Sequence, residues 1–287
     1  LRSLEQGVMQ VQAAGLSADE KRAVVEYLTG HRLDEVLART PPPACEGPRD
    51  AFDLTRPPAK AGWGVSRENQ RFIPSEVAGL SAADLPKLEL KWAFAFPGAN
   101  RARSQPTVAM GAVFVGSQDG TVYALDKQTG CVRWTFRASA EVRTPVLIEG
   151  WEADAPPARP LAYVADFIAR VYALDARTGE LVWSVKVDDH ANATITGAPV
   201  LHDGRLFVPV SSLEVTSAAD PSYPCCTFRG AVVALDAATG AVAWKTHTID
   251  EPARAVGKTR IGTPILAPSG APVWNSPAID AKRGLLY

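Results

Sequence analysis

Short runs of alternating hydrophobic and polar residues recur along most of the chain, and each run ends at a turn. β-Branched and aromatic residues are frequent in these runs, which favours strands. Three runs lead into one frame, Ala-x-Asp-x-x-Thr-Gly-x-x-x-Trp, found at 124–134, 173–183 and 234–244. Its Asp can bond the backbone ahead of it, and its Gly supplies the positive φ of a tight turn. Each copy therefore predicts a hairpin.

A second marker, a proline followed by apolar residues, precedes each hairpin, and a further alternating run lies between the two. This order predicts four antiparallel strands in each unit, and the repeated Trp would dock neighbouring units. Four-stranded units of roughly 50 residues are typical of a β-propeller, here with about four blades. The prolines are Pro106, Pro145, Pro199 and Pro277, and Trp92, in a predicted strand Leu88–Phe96, is placed to dock for an incomplete first unit.

The first 40 residues differ from the rest because they lack strand-like alternation. Ser17–Glu20 has the sequence of a capping box, and Gly30 is placed to end the helix that follows. Residues 41–62 are rich in proline and are predicted to be a linker. The predicted organisation is a helical part at 1–40, the linker at 41–62 and the propeller part at 63–287.

Composition narrows the classes of function. The net charge is −1 and no basic stripe with interleaved aromatic residues occurs, which argues against nucleic acid as a partner. No run of about 18 apolar residues occurs, so no membrane span is predicted. The four cysteines contain no Cys-x-x-Cys and the four histidines are scattered, which argues against a zinc cluster. Two long departures from the repeat, at 214–230 and 245–276, are where we expect function to lie.

The repeat resembles that of the pyrroloquinoline-quinone (PQQ) dehydrogenases, eight-bladed propellers whose blades are docked by such tryptophans. Segments outside the repeat extend the resemblance over essentially the whole chain, towards the polyvinyl-alcohol dehydrogenases and close relatives within that family. These segments are Gly62–Gly64, Asn69, Leu88–Gly98, Tyr223–Gly230 and Pro268–Arg283. The resemblance implies an all-β fold, part of an eight-bladed propeller, preceded by the α-helical C-terminal end of a c-type cytochrome domain.

The start of the chain resembles the end of a class I c-type cytochrome. Met9 stands in a Gly-x-Met sequence shortly before Leu16–Glu20, a helix start that matches the family. The resemblance implies that Met9 is an axial ligand of haem iron, a suitable role for a thioether. The alternative is an ordinary core residue of a small helical domain. The Cys-x-x-Cys-His that would attach haem c is missing, so we expect the chain to be truncated at its start.

The resemblance also implies how PQQ is held. The cofactor would lie between a tryptophan and a disulfide of adjacent cysteines, with polar side chains along its edge. The implied tryptophan is out of phase with the docking tryptophans, although a core or docking role is the alternative. For Thr196 and Arg143 the alternative is an ordinary polar residue at a strand end. The residues implied are Trp274, Cys225, Cys226, Arg143, Thr196 and Ser211.

Glu214 matches the Ca²⁺ ligand of the family, and a hard carboxylate suits that ion. The alternative is a solvated loop residue. The cysteine pair also has alternatives, because both could be small buried residues or partners for Cys45 or Cys131. In methanol dehydrogenase the pair precedes the arginine, whereas here it follows Glu214, so its position departs from the family pattern.

Together these features predict a periplasmic quinoprotein dehydrogenase. By resemblance it would oxidise secondary, possibly polymeric, alcohols with PQQ and Ca²⁺ and pass electrons to a fused c-type haem or cytochrome acceptor. The alternative is a non-catalytic propeller scaffold of the outer-membrane assembly type, since that class carries the same repeat. The family's catalytic Asp base and the remaining Ca²⁺ ligand would lie beyond Tyr287, so we expect this chain alone to be inactive.

Overall fold

The computed structural model describes residues 1–5, 13–30, 32–33, 42–47, 52–55, 58, 63–64, 68, 70–152 and 154–287. These residues form two compact units, Leu1–Pro42 and Pro43–Tyr287. Met9, Gly62 and Asn69, which carry parts of the resemblance, lie outside the described residues. No helix in the described ranges is long and apolar enough to cross a membrane.

The first unit contains the helices α1 (Arg2–Glu5) and α2 (Ala18–Thr29). The predicted capping box is confirmed, because Ser17 Oγ accepts from the Glu20 amide at 3.2 Å and Glu20 Oε2 accepts from the Ser17 amide at 2.8 Å. Gly30 ends the helix with φ 67°, and its amide donates to the Glu26 carbonyl. These two caps satisfy backbone groups that have no partner inside the helix.

The second unit is mostly β. Its helical segments are α3 (Ser75–Ala78), a 3₁₀ helix (Ala82–Lys87) and α4 (Glu214–Ser217). The first sheet consists of β1 (Thr107–Ala109), β2 (Ala112–Gly116), β3 (Thr121–Asp126) and β4 (Val132–Arg137). The second sheet consists of β5 (Leu147–Ile148), β6 (Leu161–Ala165), β7 (Arg170–Asp175) and β8 (Leu181–Lys186).

The third sheet continues this order. Its strands are β10 (Val200–His202), β11 (Arg205–Ser212), β12 (Ala231–Asp236) and β13 (Val242–His247), and β9 (Ala193–Thr194) pairs with the end of β11. Two hairpins follow, β14 (Arg254–Lys258) with β15 (Pro264–Ala267) and β16 (Ile279–Asp280) with β17 (Leu285–Leu286). All neighbouring strands are antiparallel. The predicted order of four antiparallel strands in each unit is therefore confirmed for the three sheets.

The repeat frame folds alike in each sheet. The Asp126 carboxylate accepts the Thr129 amide at 2.9 Å, and Asp236 accepts the Thr239 amide at the same distance. One residue before each Asp, the ladder between the third and fourth strands shifts register, at 124/125, 173/174 and 234/235. A shift of this kind increases the local twist of a sheet.

The repeated tryptophans dock each element onto the next. A Cβ built on the turn glycine of the following sheet would lie 2.7 Å from Trp92 at Gly130, 2.7 Å from Trp134 at Gly179 and 2.6 Å from Trp183 at Gly240. Each indole Nε1 also donates to a carbonyl just before that glycine. These acceptors are Lys127 for Trp92, Ala176 for Trp134 and Ala237 for Trp183, at 3.1, 3.0 and 3.0 Å. The predicted docking role is confirmed for Trp92, Trp134 and Trp183. Trp244, the tryptophan of the third copy, is 41% exposed and meets no glycine in this way among the described residues, so its docking role stays a prediction.

Two apolar clusters fill the spaces between the sheets. One includes Phe114 and Val146 and joins the first sheet to the second, and another includes Tyr163 and Val208 and joins the second to the third. Beside the first sheet, Cys45 forms a disulfide with Cys131. Burial between successive sheets is the main stabilising contact of a propeller-type arrangement.

The predicted strand Leu88–Phe96 is wrong, because no strand is formed between these residues. Strand hydrogen bonds need a neighbouring strand, and no described segment pairs with this stretch. Its alternation is instead satisfied by packing, since Trp92, Phe94 and Phe96 contact the buried Tyr123 and Leu125 of the first sheet.

Candidate functional site

The predicted cofactor residues lie at one end of the sheets. Thr196, Arg143 and Trp274 each stand two or three residues before the proline that leads into a first strand, whereas Ser211 is near the end of the second strand β11. In an antiparallel pair, the start of one strand and the end of its neighbour are at the same edge. The topology therefore brings side chains that are far apart in sequence to a shared end.

Three of the predicted residues carry buried polar atoms without a partner. Within the described part of the chain, Thr196 Oγ1, Ser211 Oγ and Arg143 Nε have no hydrogen-bond partner. Buried polar groups normally make hydrogen bonds, and a group left without one costs about 1–3 kcal/mol. These atoms are therefore available to a bound molecule.

Thr194 shares this property with the group although no pattern in the sequence indicates it. It pairs directly with Ser211 across β9 and β11, so both side chains lie on the same face of the ladder. Its Oγ1 is also buried without a partner. Only the pairing of β9 with β11 distinguishes it, because a threonine in a strand is common and carries no signal in the sequence.

Trp274 lies against this group through its backbone. A Cβ on Gly197 would be 2.8 Å from the Trp274 carbonyl oxygen and 2.5 Å from that of Asn275. The Val273 amide donates to the Val210 carbonyl at 3.1 Å. The segment around Trp274 is thus held between the neighbours of Thr196 and Ser211. Its side chain is 47% exposed, whereas the docking Trp134 is 6% exposed.

Glu214 is 4% exposed and is the first residue of α4. Its Oε1 accepts from the Thr227 amide at 2.8 Å and from the Tyr223 hydroxyl at 3.0 Å. Its Oε2 accepts from the Phe228 amide at 2.9 Å. Hydrogen bonds to a charged acceptor stabilise a buried carboxylate, which would otherwise be costly to desolvate. Glu214 is therefore not the solvated loop residue that was its alternative.

Cys225 and Cys226 form a disulfide with each other, and Cys45 pairs with Cys131, so no free cysteine remains. The pair lies in the loop between α4 and β12. On one side, strand β15 holds this loop, because the Leu266 amide donates to the Cys225 carbonyl at 2.7 Å. On the other side, the loop donates to Glu214. The cysteine pair is therefore near Glu214, although its place in the sequence differs from the family pattern.

Further polar residues, which were not predicted as site residues, surround the Glu214 carboxylate. His190 Nδ1 accepts from the Asn192 amide at 3.1 Å, while Nε2 lies 3.0 Å from Thr227 Oγ1 and 3.6 Å from Glu214 Oε1. Burial raises the pKa of the Tyr223 hydroxyl, and its hydrogen bond to Glu214 raises it further. Tyr223 therefore stays a hydrogen-bond donor at neutral pH. Nothing in their sequence spacing indicates that these residues meet.

Arg143 has a different set of contacts. Its Nη2 lies 2.9 Å from Glu141 Oε2, and its guanidinium carbon lies 3.7 Å from the centre of the Phe167 ring. These contacts hold the planar head group in place and leave Nε buried without a partner. These contacts of Arg143 are with the connections of the second sheet, and its part in a cofactor site stays a prediction.

The described residues contain no group of three or more His, Cys, Asp or Glu side chains placed to hold a metal ion. Glu214 supplies one carboxylate, and three of its lone-pair positions are used by the loop. Met9, the predicted haem ligand, lies outside the described residues.

Comparison with known proteins connects this geometry to a family. Residues 49–262 match the PQQ_2 family model, whose description is "Outer membrane protein assembly factor BamB". The chain belongs to the PQQ_2 family. Proteins similar to this chain include polyvinylalcohol and quinohemoprotein alcohol dehydrogenases. The predicted resemblance to PQQ-dependent alcohol dehydrogenases is therefore confirmed.

The chain is 39% identical to a polyvinylalcohol dehydrogenase of Pseudomonas sp., over 98% of its own length and 45% of the length of the relative. It is 36% identical to a polyvinylalcohol dehydrogenase of Sphingopyxis sp. (strain 113P3), over 100% of the chain and 45% of that relative. The chain thus spans less than half the length of these curated relatives. The crystal structure of quinohemoprotein alcohol dehydrogenase from Comamonas testosteroni superposes with TM-score 0.54 and 21% identity, over 92% of this chain and 37% of that one. This likeness supports the propeller-type fold.

Proposed function

We propose that this chain is part of a PQQ-dependent dehydrogenase that oxidises secondary alcohols, including polymeric ones. One observation carries the proposal: Thr196, Ser211 and Arg143, selected by resemblance as PQQ contacts, each have a buried polar atom without a partner. The similarity to the two polyvinylalcohol dehydrogenases supports the choice of substrate class. PQQ, when bound, supplies a two-electron acceptor for the alcohol.

The residues fit the chemistry of PQQ, a planar quinone with carboxylate groups. The hydroxyls of Thr196 and Ser211 and the Nε–H of Arg143 are donors suited to carboxylate and quinone oxygens. Thr194 Oγ1 is a further candidate donor. The half-exposed indole of Trp274 offers a flat apolar face, and the Cys225–Cys226 disulfide would lie on the other side of the ring system.

For Ca²⁺ the fit is partial. The ion takes six to eight oxygen ligands in proteins, at about 2.3–2.6 Å. Glu214 keeps one lone-pair position on Oε2 after its hydrogen bonds with the loop, so it would contribute a single oxygen. We propose Glu214 as one Ca²⁺ ligand and derive no chemical step through the ion.

The wider arrangement follows from the same resemblance. We propose that the three sheets and the β16–β17 hairpin are part of an eight-bladed propeller, and that residues 1–40 end a c-type cytochrome domain in which Met9 binds haem iron. Electrons would leave to this fused haem or to a separate cytochrome. Both cysteine pairs are oxidised, which supports a periplasmic location because such compartments favour disulfides.

A non-catalytic scaffold is the second candidate, and the description of the PQQ_2 family as an assembly factor favours it. Thr107, Trp151, Arg177 and His247 also have a buried polar atom without a partner, but those of Thr196, Ser211 and Arg143 are on the residues that the resemblance implies as PQQ contacts. A scaffold also gives no reason for a buried carboxylate that holds a disulfide loop. We therefore prefer the enzyme.

The test uses the full-length protein reconstituted with PQQ and Ca²⁺. Stacking on an aromatic ring contributes about 1–3 kcal/mol, so Trp274→Ala should weaken PQQ binding by roughly 5-fold to 150-fold, measured by calorimetry. Trp274→Phe keeps a ring and serves as the matched control, with a loss of about threefold or less. Alcohol-dependent dye reduction should accompany binding. Absence of dye reduction together with unchanged PQQ affinity in Trp274→Ala would support the scaffold.

A further inference from the structure

The hydrogen bonds of Glu214 bracket the vicinal disulfide. The Tyr223 hydroxyl lies two residues before Cys225, and the other donors, the amides of Thr227 and Phe228 and the Thr227 hydroxyl, follow Cys226 directly. The bonds from Tyr223 and from the two amides are 2.8 to 3.0 Å long, and the bond from the Thr227 hydroxyl is 3.4 Å long. A buried carboxylate at the end of β11 therefore accepts hydrogen bonds from the loop on both sides of the disulfide.

We infer that Glu214 is a positioning residue that holds the Cys225–Cys226 disulfide in place at the end of the third sheet. The role differs from that of a metal ligand, because the carboxylate acts through the loop and needs no ion. The opposite side of the loop is held by backbone bonds to Leu266, so the disulfide is fixed between a strand and a charged side chain.

The chemistry of the contacts explains why a carboxylate is needed. Two backbone amides and two hydroxyls converge on one side chain, and an ionised carboxylate accepts all four without donating to any of them. A glutamine would place its NH₂ group against one of the donors. Removal of the side chain would leave the Thr227 and Phe228 amides without this partner, and Phe228 is 2% exposed. The loop would then move to find other acceptors.

Neighbouring residues connect the junction, meaning Glu214 and the loop Tyr223–Phe228 that it binds, to the rest of the site. The Asn192 side-chain amide donates to the Tyr223 hydroxyl at 3.3 Å, and Asn192 Oδ1 accepts from Ser217 at 3.0 Å. Asn192 directly precedes β9, which carries Thr194. The same junction thus fixes both the disulfide and the strand that pairs with Ser211. Its importance for PQQ binding rests on the proposed function, whereas the positioning itself does not.

The experiment measures how fast each disulfide of the full-length protein is reduced by a water-soluble phosphine under native conditions. The phosphine is oxidised to its oxide as each disulfide gives two thiols, which are alkylated and counted by peptide mass spectrometry. Loss of about 1.4 kcal/mol of loop stabilisation raises the population of the opened loop about tenfold. Glu214→Gln should therefore increase the rate of reduction of Cys225–Cys226 about tenfold. Glu251→Gln, an exposed carboxylate in the next insert, is the matched control and should leave the rate unchanged.

Cys45–Cys131 is an internal reference in the same molecule, and its rate should change less than about twofold if the effect is local. Equal rates for wild type and Glu214→Gln would overturn the inference. So would an increase in the wild-type rate on addition of EDTA to the level of the variant, because the ion would then hold the loop. If Glu214→Gln unfolds, Tyr223→Phe removes one donor and should raise the rate about twofold to threefold, and an unchanged rate contradicts the inference. PQQ is absent throughout, so the reduction rates test the positioning role of Glu214 even if the proposed dehydrogenase function is wrong.

Discussion

The indole of Trp134 lies directly over Gly179 of the next sheet, so that a Cβ at this position would be 2.7 Å from the ring. Trp134 also donates from Nε1 to the Ala176 carbonyl at 3.0 Å. The same relationship joins Trp92 to Gly130 and Trp183 to Gly240. The first sheet is therefore fixed to the second, and the second to the third, by one aromatic side chain and one residue without a side chain.

Gly179→Ala should destabilise the protein through this contact. Gly204→Ala is the matched control, because both glycines have positive φ, 75° and 67°, but a Cβ at Gly204 would meet no atom within 4 Å. We expect a loss of about 1 kcal/mol for Gly204→Ala from backbone strain, and a further 1–3 kcal/mol, roughly, for Gly179→Ala from overpacking. Urea unfolding followed by fluorescence measures both, and equal losses would contradict the docking role.

The two classes of tryptophan should differ in their effect on stability. Trp134 is 6% exposed and Trp274 is 47% exposed. Truncation of a buried aromatic residue costs about 3–5 kcal/mol, so Trp134→Ala should lower the free energy of unfolding by that amount. Trp274→Ala should cost roughly 1 kcal/mol or less without PQQ, as for an exposed position. Thermal unfolding of the two variants checks this, and a similar large loss for Trp274→Ala would make it a structural residue.

Asp126 should contribute to stability against acid. Burial alone would raise the pKa of its carboxyl, but the ion pair with Arg133 and hydrogen bonds with Thr129 and Gln128 outweigh burial and lower it to about 2. The unfolded value is the ordinary one near 3.8. The stabilisation is therefore present in full above pH 4 or so and is lost as the pH falls towards about 2. Asp126→Asn should unfold at lower temperature at pH 6, and its deficit relative to wild type should shrink between pH 4 and 2, measured by calorimetry.

Removal of the hydroxyls without a partner should separate stability from cofactor binding. Ser211→Ala and Thr196→Val each delete a buried polar atom that makes no hydrogen bond in the protein. Without PQQ, both variants should be as stable as wild type or more stable by up to about 1 kcal/mol. With PQQ, each should bind about tenfold more weakly, since one hydrogen bond to a charged group is lost. Ser212→Ala is a control on the neighbouring residue, whose hydroxyl accepts from the Glu214 amide. It should lower stability instead.

Much of the blade structure was predictable because its signals are local. The turn depends on Asp126, Thr129 and Gly130 in one short stretch, and the alternation before it sets the strand. The same holds for the capping box at Ser17. The error at Leu88–Phe96 has the opposite cause: alternation shows which face is buried but does not supply the neighbour that a strand needs.

The sequence by itself determined the repeat, the order of strands and the docking tryptophans, because period, turn residues and side-chain size act within a few positions of one another. It also separated Trp274 from the docking series. Only the tertiary structure decided that Thr194 pairs with Ser211, that His190 and Tyr223 meet at Glu214, and that this carboxylate binds the disulfide loop. Such contacts join distant segments, and hydrogen-bond partners of a buried carboxylate are set by how the sheets and loops pack, which no local pattern records.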